Sequence, residues 1–276
     1  MRIFVTGGTG FIGAHFIKSA LSEGHEVVAL RRLGSSPRID LEQSPEWIEG
    51  DLEGFPRSSL SGCDALVHLA AYGVNPQESN DWHACFHWNL AKSFELWLDG
   101  VRAGIQRLVI CGSCFEYGVS GEHVEFISTD TPLRPQTAYA SSKAAATMMA
   151  IGLAASHDLK VVVNRPFHVF GDGEAEYRFW PSLRRAAIAG DDFPMTNGAQ
   201  VRDFVPVELV VKELLKSLCS EVETGRAVIK NIGTGHPKTL AEFARSEWDK
   251  FGGAGQLILG ALQQRENEVM RFVPLI

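Results

Sequence analysis

The sequence lacks what would carry a chain into a bilayer, onto a nucleic acid or into an oxidising compartment. No stretch approaches the roughly 18 consecutive apolar residues of a spanning helix, so no membrane association is expected. No run of Lys or Arg exceeds two residues, and 33 acidic residues outweigh 26 basic ones for a formal net charge of −7. Such a surface repels phosphate backbones, so nucleic acid is not an expected partner either. Cysteines number five, at 63, 85, 111, 114 and 219, an odd count with no regular spacing. That usage points to a reducing, cytoplasmic setting and not to a disulfide framework, and the first residues show no secretory cleavage pattern. Internal repeats and low-complexity tracts are also missing. What remains is ordinary globular usage: 276 residues, 45% hydrophobic and 21% charged, enough to bury a core without metal or cross-link.

Short apolar runs alternate with longer amphipathic stretches. Arg2–Thr6, Glu26–Leu30, Ala65–Leu69, Arg107–Cys111 and Lys160–Asn164 are each about five residues long and apolar on both faces, as parallel strands between helix layers should be. Helices are predicted at Phe11–Glu23, Asn80–Gly104 and Thr137–His157. This order predicts an α/β fold built on a doubly wound parallel sheet with right-handed crossovers. Beyond Pro166 the regularity weakens, with helices expected at Glu176–Ala189, Val207–Ser220 and Leu240–Phe251 and strands at Val201–Val205 and Ala227–Asn231. The expected division is a dinucleotide-binding domain at 1–165, to which 201–235 return, and a smaller substrate lobe from 166–200 and 236–276. The segment Gly34–Pro45 reads as an exposed connection.

Gly7, Gly10 and Gly13 follow the first strand and open the first helix. Their spacing gives a tight turn, close backbone approach to a pyrophosphate and close helix–strand packing, while the helix N-terminus offers free N–H groups to the anion. Gly7, Gly10, Phe11, Ile12 and Gly13 are therefore candidate dinucleotide contacts; a P-loop is excluded because no Lys-Ser/Thr follows. The second strand ends in Arg31 and Arg32, where an NAD site usually offers an acid to the adenosine ribose. Two guanidiniums suit a 2′-phosphate, which makes NADP the expected cofactor and NAD the alternative. Tyr139 and Lys143, four apart near the start of an Ala-rich helix, share one helical face. An ammonium beside a phenol favours phenolate, so Tyr139 is expected to titrate nearer neutrality and act as general acid/base.

Gly7-Gly8-Thr9-Gly10-Phe11-Ile12-Gly13, His68-Leu69-Ala70-Ala71, Ser113 with Tyr117-Gly118, Tyr139 with Lys143, and Arg202-Asp203-Phe204 occur in this order. The chain thereby resembles, over nearly its whole length, the extended short-chain dehydrogenase/reductases of the sugar-nucleotide epimerase/dehydratase group. The resemblance implies an enzyme using a nicotinamide cofactor and a nucleotide-sugar substrate, and a homodimer paired through the Asn80–Gly104 and Thr137–His157 helices. It implies that Ser113 hydrogen-bonds the reacting oxygen and that Tyr139 and Lys143 serve catalysis and cofactor. Further cofactor contacts implied are Asp51 and Leu52 near adenine, Leu69, Ala70 and Ala71 near the pyrophosphate and ribose, Asn89 in support, and Pro166, Phe167 and His168 beside the nicotinamide. His168 stands where many relatives have Asn. On the substrate side, Ser113, Cys114, Phe115 and His168 would line the sugar pocket and Arg202 and Arg265 would hold the diphosphate.

Three chemistries run on this platform: 4,6-dehydration, C4 epimerisation and reduction of a 4-keto sugar. Relatives that dehydrate carry Thr-Asp-Glu where this chain has Ser113-Cys114-Phe115, so dehydration is disfavoured. Arg31 and Arg32 favour NADPH, and with it reduction of a nucleotide-linked 4-keto-6-deoxyhexose at C4; epimerisation with bound NAD is the alternative, and a non-catalytic nucleotide sensor is disfavoured because Tyr139 and Lys143 are both kept. Cys111 and Cys114 end an apolar strand and are expected as core and pocket residues and not as a redox pair. His83 and His87 lack the partners of a zinc site, and no metal is expected. Asp172-Gly173-Glu174-Ala175-Glu176 reads as a solvated lid segment.

Overall fold

The computed structural model describes residues 1–264 and 268–276. The first six strands are β1 (Arg2–Thr6), β2 (Glu26–Arg31), β3 (Glu46–Glu49), β4 (Ala65–His68), β5 (Arg107–Cys111) and β6 (Lys160–Pro166), of which all but β3 are expected from the sequence. After them come the short strands β7 (His168–Phe170), β8 (Phe193–Pro194), β9 (Val201–Arg202) and β10 (Phe204–Pro206), the longer β11 (Arg226–Ile232), and β12 (Lys238–Thr239), β13 (Leu257–Ile258) and β14 (Arg271–Phe272). Seven strands make one all-parallel sheet in the order β11-β6-β5-β4-β1-β2-β3. Strand order reverses between β1 and β4, the switch point where ligands of doubly wound sheets bind.

Helices cover both faces, which is why the strands are apolar on both sides. On one face α1 (Phe11–Ser22) and α6 (Val207–Cys219) bury Phe16, Ile17, Val210, Leu214 and Leu218 against Ile3, Val5 and Val27. On the other, α3 (Ser93–Arg102) and α4 (Ala138–His157) bury Leu96, Trp97, Ala150 and Leu153 against Phe4, Leu66 and Leu108. Each large side chain fully buried in this way contributes about 1.5–3 kcal/mol. α5 (Phe179–Ala189) and α7 (Leu240–Lys250) enclose a third cluster of Leu183, Met195, Ala244 and Trp248. No helix among the described residues is long and apolar enough to cross a membrane.

Several elements differ from expectation, among them the short strands β7, β8, β12, β13 and β14, which the sequence does not announce. β3 was not foreseen, because only Trp47 and Ile48 of its four residues are apolar and it is an edge strand. The single helix expected over Asn80–Gly104 is broken into α2 (Trp82–Phe86), a π-helical turn at His87–Lys92, and α3. The run Val201–Val205 splits at Asp203, whose carboxylate accepts the backbone N–H groups of Thr234 and Gly235 and the Thr234 hydroxyl. A polar side chain so engaged turns the chain between β9 and β10.

Candidate active site

The turn after β1 has the shape of a pyrophosphate cradle. Gly7 adopts φ +72°, and a Cβ there would lie 2.6 Å from the Ala70 backbone nitrogen; a Cβ on Gly13 would overlap the Gly7 carbonyl. Glycine is thus required for the β1 and β4 ends to meet and for α1 to start. α1 begins at Gly10 with no side-chain cap and no acid in its first turn, leaving its N–H groups to an anion. Phe11 and Ile12 form that first turn, and Leu69 and Ala70 lie across it, with the Ala70 N–H on Thr6 Oγ1 at 3.4 Å. Ala71 is exposed beside them. These features fit a dinucleotide.

At the far end of β2, Arg31 Nη2 pairs with Glu49 Oε1 at 3.1 Å and its guanidinium lies over the Trp47 ring, while Arg32 is exposed. Asp51 Oδ1 accepts the N–H groups of Glu53 and Gly54, both at 2.9 Å, so this carboxylate shapes its own turn. Leu52 packs in the core with Phe4 and Phe55.

The catalytic candidates meet at the C-terminal ends of β4 and β5. Ser113 caps the short helical turn Cys114–Tyr117 in a reciprocal box: its Oγ accepts the Phe115 N–H and its own N–H reaches Glu116 Oε1 at 2.8 Å. The Ser113 hydroxyl also meets the Tyr139 phenol. Against expectation, burial pushes the Tyr139 phenol up, with Cys111 adding to the shift and the Ser113 hydrogen bond opposing it; the Lys143 ammonium does not reverse this. Lys143 is itself buried and pushed down by desolvation, with Cys111 and Glu116 opposing. The pair therefore presents a protonated phenol.

A buried network missed at the level of sequence supports Ser113. Glu116 Oε2 receives Arg165 Nε and Thr147 Oγ1, each at 2.8 Å, and Arg165 Nη1 donates to the Tyr117 hydroxyl at 2.9 Å. That hydroxyl in turn donates to Asn231 Oδ1 at 2.7 Å. The readable signal was Ser-x-x-Glu, a capping-box spacing at Ser113 and Glu116. Asn89, on the π-helical turn, accepts the Tyr72 N–H and donates to the Tyr72 carbonyl and Ser142 Oγ. Both its amide donors are engaged within the protein, so its side chain braces the β4 loop against α4. His68 is buried between Thr6 Oγ1 (2.8 Å) and Ser93 Oγ (3.0 Å).

Beside Phe115, the neighbour of Cys114, His168 follows Pro166 and the buried Phe167 and sits against Phe115, Phe204 and Phe272, with ring centroids 5.8, 6.4 and 5.9 Å away. Burial, then the charges of Arg202 and Arg178, push it well below the ordinary imidazole range, so it is neutral. Arg202 binds the Val269 carbonyl at 2.6 Å and Glu268 Oε1 at 3.3 Å. Arg265 lies outside the described residues. Cys111 and Cys114 are buried thiols, and burial raises Cys114 to about 12, which removes the thiolate a redox pair needs. His83 and His87 stack face to face, and the described residues hold no metal-binding cluster of His, Cys, Asp or Glu. The lid segment is not wholly solvated: the Glu174 side chain is only 9% exposed.

The family model of the NAD dependent epimerase/dehydratase family matches residues 3–233. A UDP-glucose 4-epimerase of Streptomyces lividans is 30% identical over 270 residues, covering 87% of this chain and 78% of the relative. CDP-abequose synthase of Salmonella muenchen is 25% identical over 271 residues, 98% of this chain and 87% of the relative. The structure of MoeE5 in complex with UDP-glucuronic acid and NAD superposes with a TM-score of 0.82 at 27% identity, covering all of this chain and 90% of that one. With a glycine cradle at the switch point and a Ser-Tyr-Lys set beside it, this chain belongs to the NAD-dependent epimerase/dehydratase family of enzymes.

Proposed function

We propose that the protein is a reductase that uses NADPH to reduce a nucleotide-linked 4-keto-6-deoxyhexose at C4, working as a homodimer. The observation that carries this reading is the Arg31-Arg32 pair at the end of β2, where an NAD site would offer an acid. The bound cofactor supplies the hydride. Tyr139 donates its proton to the oxygen that becomes an alkoxide, the proton transfer that reduction requires. Ser113 hydrogen-bonds the same oxygen, and Lys143 holds cofactor ribose hydroxyls and steadies the phenol. Cys114 and Phe115 supply no carboxyl for a dehydration. Arg202 neutralises the substrate diphosphate.

One observation favours C4 epimerisation with retained NAD as the second reading. Arg31 already pairs with Glu49, whose half-exposed carboxylate could accept ribose hydroxyls. Fluorescence titration separates the two: NADPH should bind more tightly than NADH, and Arg31→Asp with Arg32→Asn should reverse the order by roughly 1–3 kcal/mol. Equal affinities in the unmodified protein, with interconversion of nucleotide hexoses and no net cofactor consumption, would establish the epimerase instead.

A further inference from the structure

Glu116 is a buried acid that none of the steps above uses. Its side chain is fully enclosed, and its two oxygens hold three separate elements. Oε1 accepts the N–H of Ser113 at 2.8 Å, in the turn that follows β5. Oε2 accepts Thr147 Oγ1 from α4 and Arg165 Nε from β6, each at 2.8 Å. Thr147 lies one helical turn beyond Lys143 and two beyond Tyr139, on the same face of α4. Arg165 is fixed in turn. Its guanidinium lies 4.8 Å from the centre of the Tyr117 ring, and Nη1 donates to the Tyr117 hydroxyl at 2.9 Å. That hydroxyl donates to Asn231 Oδ1 on β11 at 2.7 Å, and the Asn231 amide closes the chain on the Ile127 carbonyl at 2.8 Å.

Stability alone explains this arrangement poorly. The cost of taking a carboxylate and a guanidinium out of water often exceeds their attraction, and apolar side chains of similar volume serve a core as well or better. The surroundings are also shaped around the carboxylate. Gly112 does not take a positive φ, yet a Cβ there would lie 2.6 Å from Glu116 Oε1 and 3.1 Å from Arg165 Cγ. Glycine is needed at 112 for space, and the space belongs to the ion pair. What such a pair can supply is registry between elements. The Ser113 hydroxyl sits on the turn after β5, the Tyr139 phenol that it meets sits on α4, and Glu116 is the one group bonded to both elements.

We propose that Glu116 is a positioning residue for the reaction: by binding the Ser113 N–H and Thr147 Oγ1 together, with Arg165 holding its carboxylate in place, it sets the Ser113 hydroxyl against the Tyr139 phenol so that both reach one substrate oxygen. This rests on the reading of Ser113 and Tyr139 given above. Glu116 is closed off from solvent, and so from any ligand, which means its loss shows in turnover and not in binding. Glu116→Leu with Arg165→Met removes both charges, keeps the volume and strands neither partner. Rates are measured with NADPH and the UDP, CDP and dTDP conjugates of 4-keto-6-deoxyglucose, and by interconversion of UDP-glucose and UDP-galactose, on whichever the unmodified protein turns over. The paired variant should lower kcat by about 10- to 100-fold, the effect of a misplacement near 1 Å, with KM and NADPH affinity within about twofold and an unchanged denaturation midpoint. In a Ser113→Ala background the same pair should lower kcat by no more than about twofold further, because the hydroxyl it positions is gone. Glu116→Gln with Arg165→Met, whose amide can accept from Ser113 and donate to Thr147, should recover most of the turnover. An unchanged kcat in the first paired variant, losses that add in full to those of Ser113→Ala, or no recovery by the amide would overturn the proposal and leave the reading of Ser113 and Tyr139 standing. An unmodified protein that turns over none of these probes would instead overturn the nucleotide-sugar reading, and the proposal with it.

Discussion

Tyr139 and Ser113 come from different elements, and what each can do is set by neighbours far away in sequence. Desolvation pushes the Tyr139 phenol up from its ordinary value despite Lys143 one helical turn away, the reverse of what Tyr-x-x-x-Lys spacing suggests. Tyr139→Phe should lower kcat by about 10²–10⁴ on the true substrate with little change in cofactor affinity; near-normal turnover would remove Tyr139 from the proton path. His68 gives a second residue-scale expectation. Burial, and then the Lys143 charge, push it from the ordinary 6.5 down to about 3, so the fold accepts only the neutral ring. Its stabilising effect is full above pH 6.5 and is lost as the pH falls toward 3, because the unfolded chain takes up a proton that the folded chain refuses. The slope is about 1.4 kcal/mol per pH unit. Chemical denaturation of the wild type and His68→Gln at neutral pH and one unit below 6.5 should show the stability gap between them narrowing by about that amount. Tyr139 and Lys143 were legible from their spacing and Ser113 from the family resemblance, whereas Arg165, hidden inside an apolar strand, was not; only β6 pairing beside β5 brings it to Glu116.

At the scale of elements, the glycine turn was read correctly because its constraint is local, a φ of +72° and backbones that leave no room for a Cβ. Gly7→Ala should therefore cost stability of order 1–3 kcal/mol, measured by denaturation, and weaken NADPH binding in the same protein. If affinity is unchanged, the cradle assignment fails. The helix predicted over Asn80–Gly104 shows the opposite case. Its apolar pattern continues through His87–Lys92, but a π-helical turn there aims Asn89 at the Tyr72 backbone and Ser142. Such turns often mark functional sites, and they follow from a tertiary hydrogen bond that periodicity does not encode. The segment 172–176 is similar: its composition reads as solvent-facing, yet the Glu174 side chain is only 9% exposed.

For the whole molecule, the outer faces of α2, α3 and α4 remain to be covered. Leu96 and Leu153 are core residues, but Trp82 is 55% exposed and Met148 60%, with Phe94 and Ile151 also exposed. A second copy would cover these faces through a two-fold contact. Light scattering coupled to size exclusion should give twice the 30.2 kDa chain mass at tens of micromolar, and a monomer mass would reject the homodimer. The sequence by itself determined most of the sheet, the order of its main helices, the glycine turn after β1 and the placing of Tyr139 and Lys143 on one helical face, because apolar period, glycine geometry and residue spacing act over a few residues. Tertiary structure alone decided the direction in which the Tyr139 phenol is shifted, the Glu116–Arg165 brace, the hydrogen bonds of Asn89 and the burial of Glu174. Those depend on desolvation and on partners that meet across the sheet, and no local pattern specifies them.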